Sequence, residues 1–95
     1  MSAYVIVDIE VLDPEPYEEY KRLASASIAA HGGRYVVRGG NSEVLDGDWT
    51  PRRLVVLEFA TVEAAKAWRS SPEYAEALEV RGRCARSNMV VVEGL

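Results

Sequence analysis

Apolar and polar residues alternate from Ala3 to Val11. Val5, Val7, Ile9 and Val11 share one face, and Tyr4, Ile6, Asp8 and Glu10 share the other, which predicts a strand. The period then changes. Tyr17, Tyr20, Ala24 and Ile28, with Leu23 alongside, fall at spacings of three and four, which predicts a helix from Pro14 to about His31. Asp13 is placed to accept from its orphan amides, Pro14 suits the first helical position, and Gly32-Gly33 ends the helix. A second strand covers Arg34 to Arg38. Gly39-Gly40 interrupts it, the expected place for a bulge or a close backbone approach. Ser42 to Leu45 is expected to continue the pairing, with Asp46-Gly47 as a tight turn and Asp48 to Pro51 completing a hairpin loop. Arg53 to Ala60 alternates again, Val55, Leu57 and Phe59 opposite Leu54, Val56 and Glu58. Thr61 caps a helix whose stripe is Ala64, Ala65 and Trp68, and Ser71-Pro72-Glu73 restarts one through about Ala85. There Arg81, Arg83 and Arg86 lie near the negative end of the dipole. Asn88 to Glu93 forms the last strand.

The order strand, helix, strand, strand, helix, strand, joined by right-handed crossovers, gives an α+β fold. It is the ferredoxin-like βαββαβ sandwich, with an antiparallel sheet ordered 4-1-3-2 and both helices on one face. A length of 95 residues fits a single domain over 1–95. The second sheet face should then be wet and polar, yet it carries Tyr4, Ile6, Leu54 and Val56, and Val90 to Val92 are apolar on both faces. Covering about 400 Å² of such a face is worth on the order of 10 kcal/mol before association costs. A second copy packed sheet to sheet is the expected partner.

Apolar residues make up 48% of the chain and charged residues 27%, the balance of a globular protein. No apolar run is long enough to span a membrane. Met1-Ser2-Ala3-Tyr4 carries no basic segment ahead of an apolar one, so a cytoplasmic location is expected. Fifteen acidic against eleven basic residues argue against nucleic acid as a partner. So does the placement of Tyr4 and Phe59 on opposite faces, since RNA-binding domains of this topology need exposed aromatics on the central strands. One cysteine, Cys84, and one histidine are poor support for a metal site. No phosphate loop, dinucleotide fingerprint or nucleophile elbow is present, so no tightly bound cofactor is expected.

The sequence resembles the domain of unknown function 1330 family of the dimeric α/β-barrel superfamily. The segments that carry the resemblance are AYVIVDIEVLDPEPYEEY (3–20), GGRYVVRGG (32–40), EVLDGDWTPRRLVVLEF (43–59), AAKAWRSSPEY (64–74) and VVVEG (90–94). It implies a ferredoxin-like protomer and a homodimer whose two sheets form a barrel. It implies no single reaction, since the superfamily includes cofactor-independent monooxygenases, muconolactone isomerase and haem-degrading enzymes.

Arg38, before Gly39-Gly40, is the leading candidate to clamp a carboxylate or enolate oxygen, with the glycines admitting ligand to the backbone. The alternative is an ion pair with Glu58, Asp8 or a partner chain. Glu58 and Asp8 share the uncovered face and are candidates for raised pKa values and acid–base work. With strand ends aligned, Asp8 falls near Val55 and Glu58 near Val5, about 10 Å apart, too far for a close pair. His31 is the only imidazole, and its place at a helix C-terminus also suits a simple cap. Tyr17, Tyr20, Trp68 and Tyr74 either line a pocket between helices and sheet or fill the core. Trp49 is a loop aromatic suited to reach across a dimer, and Cys84 is expected to be inert. Two functions fit. In one, a dimer binds a small organic molecule through Arg38, Gly39, Gly40, Tyr20, Trp68 and Tyr74. In the other, a cofactor-independent enzyme uses Arg38 with Glu58, His31 or Tyr74 as proton carriers.

Overall fold

The computed structural model describes residues 2–95; Met1, the first residue of the start considered above, lies outside them. Strand β1 (Ala3–Val11) buries every second side chain, and its inward set forms the floor of the core. Helix α1 (Pro14–Ala30) lays Tyr17, Tyr20, Ala24 and Ile28 on that floor. Strands β2 (Arg34–Arg38) and β3 (Arg53–Phe59), helices α2 (Val62–Arg69) and α3 (Pro72–Cys84), and strand β4 (Ala85–Glu93) follow. The antiparallel sheet is ordered β2-β3-β1-β4, as the crossover rules required, with β4 at an edge. Thr61 and Ser71 cap α2 and α3 by accepting from the amides of Ala64 and Tyr74.

Five expectations change. The Asp13 side chain makes no cap hydrogen bond. Pro16 stands third in the helix and has no N–H to give, while the Asp13 amide itself donates to the Cys84 carbonyl at 3.1 Å. The bulge falls at Val36, between the pairs Tyr35↔Leu57 and Val37↔Val56, not at the glycines. Ser42 to Leu45 do not pair, and residues 40 to 51 form no strand. Gly39, at φ +72°, closes the ladder with its amide on the Leu54 carbonyl at 2.8 Å, and the chain then leaves the sheet. The loop returns at Asp8, whose carboxylate accepts from the Trp49 indole and the Arg52 amide, each at 2.9 Å. Strand β4 begins at Ala85, three residues before Asn88, because it continues from α3 without a loop to pair with Val11. Finally, Asp8 pairs with Leu54 and Tyr4 with Glu58. Cross-strand partners must share a face, so Asp8 cannot lie opposite the inward Val55. Asp8 and Glu58 are therefore four strand positions apart, about 14 Å.

On the face away from the helices, Val37, Val56, Ile6 and Val90 form one row across all four strands. Val90 and Val92 are 58% and 47% exposed. Arg34 and Glu58 border the row on one side, Asp8 and Asn88 on the other.

Candidate functional site

Two spaces open between the helices and the sheet. The larger is a groove of about 490 Å³ along the β4 edge, under α2 and α3. Val5, Trp68, Met89 and Val91 give it apolar walls, and Arg81, Ser70 and Ser87 supply polar groups. The volume suits a small organic molecule. The second is a crevice of about 30 Å³ beneath α1, bounded in part by Tyr17, Tyr20, Arg38 and Arg53 and little larger than one water. Trp68 and Met89 are walls of both.

Helix α3 supplies the groove's main polar feature. Tyr74, Ala77 and Arg81 follow one another along its buried face. The Arg81 guanidinium donates through Nη1 to the Tyr74 hydroxyl at 2.9 Å, and that hydroxyl shares a 3.0 Å hydrogen bond with Tyr20. Trp68 packs on Tyr74 with ring centroids 4.5 Å apart and donates its indole N–H to Ser27 Oγ at 3.0 Å. Burial, with Tyr74 alongside, pushes the Tyr20 phenol well above the usual tyrosine range, against the pull of Arg81. Burial also raises Tyr17, partly offset by Arg53.

These shifts give a test at high pH. The folded protein keeps the Tyr17 and Tyr20 protons where an unfolded chain loses them, near the ordinary value of 10.0. Their contribution to stability is therefore intact below that pH and falls as pH rises through and above it. Absorbance and circular dichroism recorded together are expected to show part of the five-tyrosine titration arriving only with unfolding. Ionisation of all five in a folded protein would contradict this packing.

The other candidates lie apart. Arg38 faces α1, its guanidinium 4.3 Å over the Tyr35 ring with Nη2 donating to Ser25 Oγ at 3.0 Å. The Val36 bulge puts it there by shifting the residues after it to the opposite face, so neither the Glu58 nor the Asp8 ion pair forms. Gly39 is filled by its neighbour: a Cβ there would run into the Arg53 guanidinium. Gly40 is exposed. Glu58 lies on the outer face, paired with Arg34 and accepting from Tyr4 at 3.3 Å. Its pKa is lowered, not raised: a hydrogen bond from Ser2 outweighs desolvation, and Arg34 and Tyr4 lower it further. His31 Nε2 lies 2.6 Å from Glu73 Oε1 and ties the end of α1 to the start of α3. The structure thus brings Tyr20, Trp68 and Tyr74 together and leaves Arg38, Glu58 and His31 in three other places. Arg81 is the residue that sequence reasoning passed over. Its signal was a cation on the same helical stripe as Tyr74 and Ala77. Burial raises the Cys84 thiol, with Asp13 adding to it and Arg83 opposing. Among the described residues no three His, Cys, Asp or Glu side chains gather to hold a metal ion, and no helix is long and apolar enough to cross a membrane.

The fold places the chain among ferredoxin-like α+β proteins. A protein of unknown function from Rhodopseudomonas palustris is 20% identical, with a TM-score of 0.80 over 99% of this chain and 82% of that one. SnoaB, a cofactor-independent oxygenase from Streptomyces nogalater, is 13% identical, with a TM-score of 0.68 over 99% and 93%. A dimeric ferredoxin-like protein of unknown function from Thermobifida fusca is 14% identical, with a TM-score of 0.67 over 99% and 92%. No curated protein matches the sequence. The chain belongs to the domain of unknown function 1330 family, whose model matches residues 2–95.

Proposed function

We propose that the protein is a homodimer that binds a small organic molecule in the groove between its helices and the β4 edge. The groove itself carries this reading: about 490 Å³ with mostly apolar walls and a few converging polar groups. Packing through the outer sheet faces would leave the helix side of each protomer free, with Val90 at the β4 edge shared by the outer row and the groove. The dimeric description of the Thermobifida fusca protein supports the assembly by analogy of fold. Native mass spectrometry of freshly purified protein tests both parts. The expected result is a species of twice 10.5 kDa that carries added small-molecule mass. A lone 10.5 kDa species removes the dimer, and empty protein that takes up no member of a small-molecule library removes the binding reading.

The hydrogen-bond chain at the groove favours a second reading, a cofactor-independent enzyme acting on a small carbonyl, enol or aromatic compound. The Arg81 guanidinium at the groove can donate to the oxygen of a developing enolate while hydroxide from solvent removes the carbon-bound proton, and its hydrogen bond to Tyr74, itself bonded to Tyr20, holds it in place. Acetylacetone provides the test, through deuterium uptake from solvent followed by NMR. Exchange is expected to be faster with the protein than with its Tyr74→Phe variant, and a rate equal to buffer alone removes this reading.

A further inference from the structure

We infer that the occupant of the groove is an organic anion, a carboxylate or enolate on an apolar body. This rests on the pocket reading above and narrows it. The chain carries a net charge of −4, with fifteen Asp and Glu residues, yet the residues lining the groove include Lys66, Arg69 and Arg81 and no carboxylate. Arg81 is the telling member. It is 9% exposed, and its hydrogen bond goes to a phenol. None of the ion pairs among the described residues includes it. A guanidinium stays charged wherever it is placed, and burying it without a counter-charge is costly. The aromatic rings of Tyr20 and Tyr74, each 6.0 Å away, soften that cost without supplying an anion. An anionic ligand would supply it. Lys66 and Arg69 stand exposed at the same groove, placed to draw an anion in from solvent. The walls of Val5, Trp68, Met89 and Val91 take an apolar body, which favours an organic acid over a free phosphate.

Benzoate and benzamide share a shape and differ in charge, so the pair separates the anion reading from the pocket reading. Each is titrated into the protein while the backbone amides of Ala65, Ser70, Ser87 and Met89 are followed by NMR. Benzoate is expected to bind at least about tenfold more tightly than benzamide, the size of one charge-assisted hydrogen bond. The preference is expected to vanish in Arg81→Met. Because Arg81 is buried and its loss can unfold the chain, the exposed pair Lys66→Ala/Arg69→Ala is the second variant, expected to slow benzoate association and reduce its dependence on salt. Equal binding of both probes at these amides overturns the anion and leaves the pocket standing. A benzoate preference that survives Arg81→Met overturns Arg81 as the anion's partner and assigns the anion to Lys66 and Arg69. Shifts from neither probe overturn the anion and the pocket together.

Discussion

Val56→Asp is expected to turn the protein into a folded monomer. Val56 sits in the middle of the outer-face row, paired with Val37 on one side and Ile6 on the other, with Val90 completing the row. Four apolar side chains in line, bordered by Arg34 and Glu58 above and Asp8 and Asn88 below, make an apolar centre with a polar rim, the anatomy of a protein–protein interface. In a sheet-to-sheet dimer a carboxylate at position 56 would be buried without a counter-charge. That costs several kcal/mol and weakens association on the order of a thousandfold. In the monomer position 56 is half-buried on an open face, so the same carboxylate reaches water and costs less. The helix-side core is untouched, so the circular dichroism spectrum should stay that of the parent. Sedimentation at micromolar concentration is the measurement. The expected contrast is a parent at twice 10.5 kDa and a variant at half that mass. A parent that sediments as a monomer, or a variant that remains dimeric, removes the sheet-to-sheet assembly. Leu45 and Trp49, 94% and 61% exposed on the long loop, provide the contrast. If Leu45→Asp dissociates the dimer while Val56→Asp does not, the loop is the contact and the sheet is not.

The architecture was legible because its signals are local and periodic. The alternation of β1, the helical stripe of Tyr17, Tyr20, Ala24 and Ile28, and the caps Thr61 and Ser71 each fix one element, and connection rules turn seven elements into one sheet order. What the sequence hid depends on single-residue events without a compositional mark. The bulge at Val36 lies within a run of good strand formers, and nothing in Tyr35-Val36-Val37 announces the extra residue. That one residue decides which face Arg38 takes, and so whether it can meet Glu58 at all. Asp46-Gly47 misled for a different reason. Gly47 does adopt a positive φ of +85°, but a turn makes a hairpin only where flanking strands pair, and Asp8 anchors the returning chain instead. Arg81 was read by its distance from the helix end, where a cation suits the dipole. The same residue read by helical spacing falls on the buried face, where a cation demands another explanation.

Trp68→Ala is expected to destabilise the protein more than any other single truncation on the helix side. Trp68 is the largest fully buried side chain, 1% exposed. Its ring centroid lies 5.5 Å from that of Phe59 and 4.5 Å from that of Tyr74, and its indole joins Ser27 of α1 to α2 through a 3.0 Å hydrogen bond. Truncation removes the transfer energy of the ring and leaves a cavity, together about 3–5 kcal/mol. For a domain of this size that lowers the melting temperature by about 15–30 °C. Trp68→Phe separates the contributions. The smaller ring keeps most of the stacking, and Ser27 Oγ still donates to the Ala24 carbonyl at 2.8 Å. Only part of the volume and one hydrogen bond are lost, about 1–2 kcal/mol. Thermal melts of the two variants should therefore differ about twofold or more in their displacement from the parent. The same side chain walls both the groove and the crevice beneath α1, so an alanine that still folds at low temperature merges the two spaces. It should then admit an aromatic acid larger than benzoate, and bind benzoate itself more weakly for want of a wall. Two melts that coincide would mean that the indole is not buried between helices and sheet, and the groove would lose its inner boundary with it.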